Sequence, residues 1–200
     1  MKYNALKYLP NNFQYDDEGL WSLTLPHDAN RISNIILDEF GTNIIIMDCT
    51  AGLGGNTISF CNYFIFVISI ENDYYRFNML KNNIDLLNIS NIYLINDDCI
   101  NVLLNKFNKN DRNDFCKNYL VRNINCYFID PPWGGINYKK KKKINIKLSN
   151  INLNNFITFI KLNNNTPIII KLPKNYDLTE FYNFNYKIYH INNYLLLIIY

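Results

Sequence analysis

The chain has 200 residues, a net charge of +3 and 48% hydrophobic residues, which is enough apolar sequence for one domain with a sizeable core. Five cysteines without a C-x-x-C pair and only two histidines argue against a zinc site, so we expect reduced thiols and no metal. The apolar runs are far too short to span a bilayer and the N-terminus lacks a signal core, which predicts a soluble, intracellular monomer without a membrane partner.

Residues 1–26 are punctuated by Asn, Asp and Pro and predict an N-terminal extension with short helical pieces, ahead of one domain over 27–200. In that domain, apolar residues at helical spacing alternate with short apolar runs. Helices are predicted over 27–40, 57–63, 72–89, within 105–123 and over 152–162. Strands are predicted over 43–48, 64–71, 91–97, 125–130, 166–173, 187–191 and 194–200.

The strands are continuous apolar runs, which indicates an α/β fold whose mostly parallel sheet is covered by helices on both faces. The last two strands are close enough in sequence to be antiparallel. Ligands in such sheets bind at the carboxyl ends of the strands. Four strand ends carry acids, at Asp48, Glu71, Asp97–Asp98 and Asp130. The alternative is that these acids are only N-caps of the following helices.

The first strand is followed by a turn that holds three of the seven glycines, Gly52, Gly54 and Gly55. Glycine lets the backbone approach a ligand closely, and the helix that follows offers free N–H groups. Glu71 ends the next strand, where a carboxylate can hold two ribose hydroxyls. Because Asp48 precedes the glycines, the turn favours a ligand with a positive group over a pyrophosphate. We therefore prefer S-adenosylmethionine to NAD as the cofactor.

The fourth strand ends in Asp130, Pro131, Pro132 and Trp133, followed by two glycines. Two prolines make a stiff turn whose carbonyls point outward as acceptors. Together with a carboxylate, such a carbonyl can orient the two hydrogens of an exocyclic amine, so that its nitrogen attacks a methyl carbon in line. The indole of Trp133 offers a flat face on which a base can stack. The motif predicts methyl transfer to an amino group, although adenine, cytosine, guanine and glutamine would all fit it.

These two motifs together resemble the trimethylguanosine synthase family, which methylates N2 of 7-methylguanosine RNA caps. The stretch "DCTAGLGGNT" is similar to the family pattern D-x-F-x-G-x-G-G-N-T, and "DPPWGGINY" to [SD]-P-P-W-G-G-P-x-Y. The resemblance extends over nearly the whole chain, through "DDEGLWSLT", "VISIEND", "KNN", "NDD" and "KLPKNYD". It implies a Rossmann-like class I S-adenosylmethionine-dependent methyltransferase fold.

The resemblance also implies a role for each matching position. The catalytic turn would be Asp130, Pro131 and Trp133, with Trp133 stacked on the 7-methylguanine. The cofactor-binding positions would be Asp48, Gly52, Gly54, Asn56, Thr57, Glu71 and Asp98. The substrate-binding positions would be Lys2, Ser22, Thr24, Trp133, Tyr138, Lys174 and Asn175, of which Lys2, Tyr138 and Lys174 would bind the cap phosphates. Lys174 stands where the family has Arg.

Two other functions remain open from the sequence. An N6-adenine methyltransferase would also use a D-P-P-W turn, but enzymes of that kind that act on mRNA resemble a permuted order, with the cofactor motif after the turn. A non-catalytic cap- or RNA-binding module is the rival from another class. The lysine run at 139–143 suits a solvated loop, a phosphate path for capped RNA or a nuclear localisation signal. We expect a nuclear protein in a eukaryotic cell, or one acting in the host cell if viral.

Overall fold

The computed structural model describes residues 6–107, 123–140, 144–191 and 193–200. The predictions for Lys2, for Lys141–Lys143 and for most of the 105–123 segment fall outside these ranges. Within the described part of the chain, no helix has the length and apolar character to cross a membrane. The same residues include no group of three His, Cys, Asp or Glu that could hold a metal ion.

Seven strands form one sheet in the order β3-β2-β1-β4-β7-β9-β8, and two further strands form a separate hairpin, β5-β6. The sheet strands are β1 Ile45–Asp48, β2 Phe66–Glu71, β3 Ile92–Asn96, β4 Cys126–Ile129, β7 Ile168–Pro173, β8 Tyr186–Ile191 and β9 Tyr194–Ile199, and the hairpin strands are β5 Lys147–Leu148 and β6 Ile151–Asn152. The helices are α1 Asp17–Ser22, α2 Pro26–Phe40, α3 Gly55–Tyr63, α4 Tyr74–Leu86, α5 Cys99–Phe107 and α6 Leu153–Asn163, with 3₁₀ turns at Leu6–Tyr8, Ile136–Lys140 and Leu178–Phe181.

The first five strands of the large sheet are parallel, and β9 runs antiparallel to both of its neighbours. The predicted α/β architecture and the antiparallel closing pair are therefore confirmed. The carboxyl ends of β2, β1, β4 and β7 meet along one edge. Because neighbouring parallel strands end together there, residues far apart in sequence become neighbours.

Side chains alternate between the two faces of the sheet, and each face carries its own core. On one face, Ile168, Ile170 and Leu172 of β7 belong to the cluster that includes Leu103 of α5 and Phe156 of α6. The other face is covered by α2 and α3, and its core includes Ile32, Ile36, Phe60, Phe128, Ile169, Leu196 and Ile198. By the same alternation, Asp48, Glu71, Asp130 and Lys171 belong to the α2–α3 face. The polar residues of the candidate site thus lie on the same face as this hydrophobic core, at the edge where the parallel strands end.

The N-terminal extension contains short helices, as the sequence predicts. The Asp16 side chain accepts a hydrogen bond from the Gly19 N–H and caps α1. Pro26 occupies the first turn of α2, where a missing N–H costs nothing. The Arg76 Nη2 atom of α4 lies 2.8 Å from Asp16 Oδ2, which fixes the extension to the domain. This hydrogen bond from Arg76 lowers the pKa of the Asp16 carboxyl.

The sequence did not predict the β5–β6 hairpin. Each of its strands has two residues, which is too short for an alternating or continuous apolar pattern to be visible. The helix predicted over 57–63 begins two residues earlier, at Gly55, because Gly54 provides its N-terminal turn in the left-handed conformation, with φ of 99°.

Candidate active site

The glycine turn between β1 and α3 is shaped by close contacts with other segments. Gly52 and Gly54 have φ of 56° and 99°, which few other residues tolerate. A Cβ atom on Gly55 would lie 2.5 Å from the backbone oxygen of Thr24. The glycine at that position therefore lets the N-terminal extension pack directly on the turn.

Asp48 ends β1 beneath this turn and is completely buried. Its Oδ2 accepts a 2.7 Å hydrogen bond from the Thr57 hydroxyl, and its Oδ1 accepts a 3.2 Å bond from the Thr50 N–H. Burial raises the pKa of the Asp48 carboxyl to about 7, although both hydrogen bonds oppose that shift. The geometry thus makes Asp48 a support of the turn. Its direct contact with a cofactor stays a prediction, and the burial of the carboxyl speaks against it.

Glu71 at the end of β2 is turned towards the glycine turn. Its two carboxylate oxygens accept backbone N–H groups from Gly52, at 2.8 Å, and from Asp73, at 2.9 Å. Each oxygen keeps a second lone pair for another donor. The cap of α4 is Asp73, which accepts from the Arg76 N–H. Glu71 is therefore placed beside the turn for a reason other than helix capping.

Asp98 beyond β3 does fit the capping alternative. Its Oδ1 accepts the Ile100 N–H at 2.8 Å, at the start of α5. Its Oδ2 accepts a hydrogen bond from the Ser149 hydroxyl. The structure therefore ties Asp98 to the helix that follows it, and the predicted adenine contact would have to use the remaining lone pairs.

Asp130, the acid of the D-P-P-W turn, lies in a polar cluster that we call the Asp130 cluster: Thr24, Asn56, Asp130 and Lys171. The Lys171 Nζ atom lies 2.6 Å from Asp130 Oδ2 and 2.7 Å from Thr24 Oγ1. Thr24 and Asn56 also donate to Asp130 Oδ2, at 3.3 and 3.4 Å. The Asp130 N–H donates to Thr50 Oγ1 at 2.8 Å. The extension, α3, β4 and β7 therefore meet at one carboxylate.

Asn56 contributes an unsatisfied acceptor to this cluster. Its Nδ2 atom donates to Thr24 Oγ1 at 3.1 Å, whereas its Oδ1 atom is buried and has no hydrogen-bond partner among the described residues. A buried polar atom without a partner is costly and rare in native proteins. Its position beside Asp130 and the glycine turn suits a ligand that brings an N–H or ammonium donor.

Trp133 lies half-buried next to the Asp130 cluster. Its Nε1 atom donates to the backbone oxygen of Lys171 at 3.3 Å. The Tyr138 ring meets the indole edge-to-face, with 5.1 Å between centroids. The Asn175 Nδ2 atom donates to the backbone oxygen of Tyr138 at 3.2 Å, which joins the segment after β7 to this aromatic pair. These contacts fix the indole close to Asp130.

The predicted substrate residues are only partly brought together. Thr24 belongs to the Asp130 cluster, and Tyr138 and Asn175 adjoin Trp133. Lys174 is exposed, just beyond β7. Ser22 is exposed, and its hydroxyl donates to the backbone oxygens of Glu18 and Gly19 in its own helix. It therefore does not contact the Asp130 cluster.

Two residues that organise the site, Lys171 and Asn83, stand in the quoted motifs "KLPKNYD" and "KNN", but the sequence assigned them no role. Lys171 is buried in a strand that otherwise reads as apolar, and this break in the run "IIIKLP" is the signal that could have found it. Asn83 of α4 is fully buried and donates to the backbone oxygens of Gln14, at 3.0 Å, and of Leu53, at 3.2 Å. It also accepts the Gln14 N–H at 2.7 Å. Asn83 thus holds the N-terminal extension against the glycine turn.

Comparisons with known proteins agree with this architecture. The model of a family described as RNA cap guanine-N2 methyltransferase matches residues 43–197. The trimethylguanosine synthase of Schizosaccharomyces pombe is 32% identical over 191 residues, which cover 88% of this chain and 74% of that protein. "Uncharacterized protein L320" of Acanthamoeba polyphaga mimivirus is 29% identical, with 90% of this chain and 73% of that protein covered. The solved structure of a candidate methyltransferase from Streptococcus mutans, in complex with SAH, has a TM-score of 0.51 at 17% identity, covering 88% of this chain and 98% of that one.

Proposed function

Because this chain belongs to the RNA cap guanine-N2 methyltransferase family, we propose that it methylates the exocyclic N2 amine of a 7-methylguanosine RNA cap, giving di- or trimethylguanosine caps. The class I methyltransferase fold and the family both make it an S-adenosylmethionine-dependent methyltransferase. The capped RNA as its substrate is the finer part of the proposal. One observation carries that part: the D-P-P-W turn places Trp133 and a partly open carboxylate side by side.

The residues around the glycine turn suit S-adenosylmethionine. Glu71 and Asp130 place two carboxylates beside the turn, and Asn56 Oδ1 is a buried acceptor for which the described residues supply no donor. Glu71 would hold ribose hydroxyls, and Gly52, Gly54 and Thr57 would shape the turn around the ligand. When bound, the cofactor supplies an electrophilic methyl group on a positively charged sulfur.

On the substrate side of the site, the residues of the D-P-P-W turn would position the acceptor amine and would not act on it as a strong base. Oδ1 of Asp130 and the carbonyl of Pro131 would accept the two N–H groups of N2, which directs the nitrogen lone pair outward. Trp133 would carry the purine, and its aromatic face favours a cationic base over a neutral one. Holding the reactants in line is a large part of such catalysis. Lys2, Tyr138 and Lys174 would then bind the cap phosphates, with Asn175 beside Tyr138.

The decisive experiment compares methyl transfer to 7-methyl-GTP, to GTP and to an adenine-containing RNA. We expect 7-methyl-GTP to be preferred, because a cation over the indole gains about 0.5–2 kcal/mol, or about 2- to 30-fold in affinity. Trp133→Phe keeps an aromatic face and should narrow that preference, whereas Trp133→Ala should lose it together with most of the turnover. GTP is the matched control, since it differs from 7-methyl-GTP only in the methyl group and its charge.

Each other outcome selects a different function. Equal turnover of 7-methyl-GTP and GTP would contradict the proposed cap specificity. Activity confined to adenine would make the chain an N6-adenine methyltransferase. Cap binding without binding of S-adenosylmethionine in calorimetry would indicate a non-catalytic binding module. Calorimetry on Glu71→Ala, which should bind S-adenosylmethionine more weakly while staying folded, tests the cofactor site on its own.

A further inference from the structure

Lys171 is a buried cation that touches the D-P-P-W turn at two points. It is 7% exposed and lies on β7, opposite Leu196 of β9. Its ammonium lies 2.6 Å from Asp130 Oδ2, and its backbone oxygen accepts the Trp133 Nε1–H. One residue of the neighbouring strand therefore fixes both the acid and the aromatic ring of the turn.

The hydrogen bonds to Asp130 are strongly asymmetric. Lys171, Thr24 and Asn56 all donate to Oδ2. Among the described residues, none donates a hydrogen bond to Oδ1. A carboxylate with one oxygen occupied in this way presents a single, oriented acceptor to an incoming N–H group.

We propose that Lys171 is a positioning residue for methyl transfer, which occupies Asp130 Oδ2 so that Oδ1 receives the N–H of the acceptor amine. This inference rests on the proposed function and deepens it, because it assigns the orientation of the amine to a side chain that does not touch the substrate. The backbone carbonyl of Lys171 also accepts the Trp133 Nε1–H, and side-chain substitutions at this position leave that acceptor in place.

The surroundings of Lys171 support positioning over simple structural packing. A buried ion pair is a poor means of stabilisation, since apolar residues of similar volume often serve equally well. Ile169, the preceding β7 position on this face, belongs to the apolar core. Two aromatic rings flank the ammonium, with the Trp133 and Tyr194 centroids at 5.4 and 5.1 Å. The cation is therefore enclosed by the acid it orients and by the ring that would carry the base.

The experiment measures kcat and KM for 7-methyl-GTP together with S-adenosylmethionine affinity for five variants and the wild-type enzyme. Lys171→Met removes the charge and keeps most of the stem, and Lys171→Arg restores a cation. We expect Lys171→Met to lower kcat by roughly 10- to 100-fold, the scale of a small misplacement of the reacting groups. KM and cofactor affinity should change far less, and Lys171→Arg should recover part of kcat. Lys161→Met is the matched control and should leave kcat unchanged, because Lys161 lies on α6 and its ammonium donates to the Thr166 backbone oxygen ahead of β7, at 3.1 Å.

The fourth variant, Asp130→Asn/Lys171→Met, is compared with Asp130→Asn alone. If Lys171 acts through Asp130, adding Lys171→Met to Asp130→Asn should lower kcat only slightly. Because the double variant leaves no carboxylate without its cation, this comparison is still possible if Lys171→Met alone fails to fold. A folded Lys171→Met enzyme with wild-type kcat, or an equal loss in the Asp130→Asn background, would overturn the inference. Wild-type activity on adenine alone would overturn the cap proposal, and the same variants would then test Lys171 on that acceptor. A wild-type protein that methylates neither acceptor would overturn both.

Discussion

Asp48 and Asp130 end neighbouring strands and belong to the same face of the sheet, yet their partners are opposite in kind. Asp48 has neutral donors, the Thr57 hydroxyl and the Thr50 N–H, and is completely buried. Asp130 has an ammonium 2.6 Å away and keeps 14% of its side chain exposed. The first acid supports the turn on the cofactor side of the site and can be neutral at physiological pH. The second is held by a cation, and it is the acid that we propose orients the acceptor amine.

The largest effect should come from breaking the ion pair on the substrate side. Lys171→Met leaves the Asp130 carboxylate largely buried without its cation, and breaking such a pair costs about 3–5 kcal/mol of unfolding free energy. Asp130→Asn/Lys171→Met removes both charges and should recover most of that loss. Chemical denaturation of the two variants provides the measurement, with the exposed Lys187→Met as control. A double variant as unstable as the single one would show that the pairing is not what stabilises this region.

The next effect should come from loosening the contact between the N-terminal extension and the glycine turn. Asn83→Ala removes a fully buried amide and orphans the Gln14 and Leu53 carbonyls and the Gln14 N–H. Leaving a buried polar group unsatisfied costs about 1–3 kcal/mol. Asn82→Ala is the neighbouring control, since its side chain is exposed and donates to the Gln14 side chain and not to the backbone. Hydrogen exchange should show faster opening of residues 14–24 in the Asn83 variant alone, and equal protection in both would contradict the linkage.

The smallest effect, when measured over one pH unit, concerns Asp48 and appears as a pH dependence of stability. Its pKa is about 7 in the folded protein and near 4 when unfolded, so the folded state binds the proton more tightly. Stability from this group is therefore present at pH 4 and is lost as the pH rises towards 7, with a slope of at most about 1.4 kcal/mol per pH unit. Asp48→Asn should flatten this part of the stability profile. If thermal melts of the two proteins keep parallel pH profiles between pH 4 and 7, Asp48 is not the protonated group.

Much of the fold could be predicted because its strands are long apolar runs with acids at their ends. The N-terminal half of the site followed from the same pattern, since glycines in a turn and an acid after a strand are visible in sequence. The direction in which a carboxyl points is not visible, so the sequence does not show that Asp48 is buried beneath the turn, and its contact with a cofactor stays a prediction. The sequence assigns no role to Lys171, because its importance comes from its pairing with Asp130, 41 residues away. Such a pairing is created only by the order of β4 and β7 in the sheet.

The position of β9 bears on how the protein folds. β9 lies between β7 and β8, although it follows both in the chain, so β7 presents an open edge until β9 pairs with it. Without β9, the run Ile168–Ile170 is an apolar strand edge of the kind that pairs with other chains. Tyr194, which begins β9, also covers the Lys171 ammonium. The insertion of β9 therefore completes the surroundings of the Asp130–Lys171 pair and covers an aggregation-prone edge in the same step.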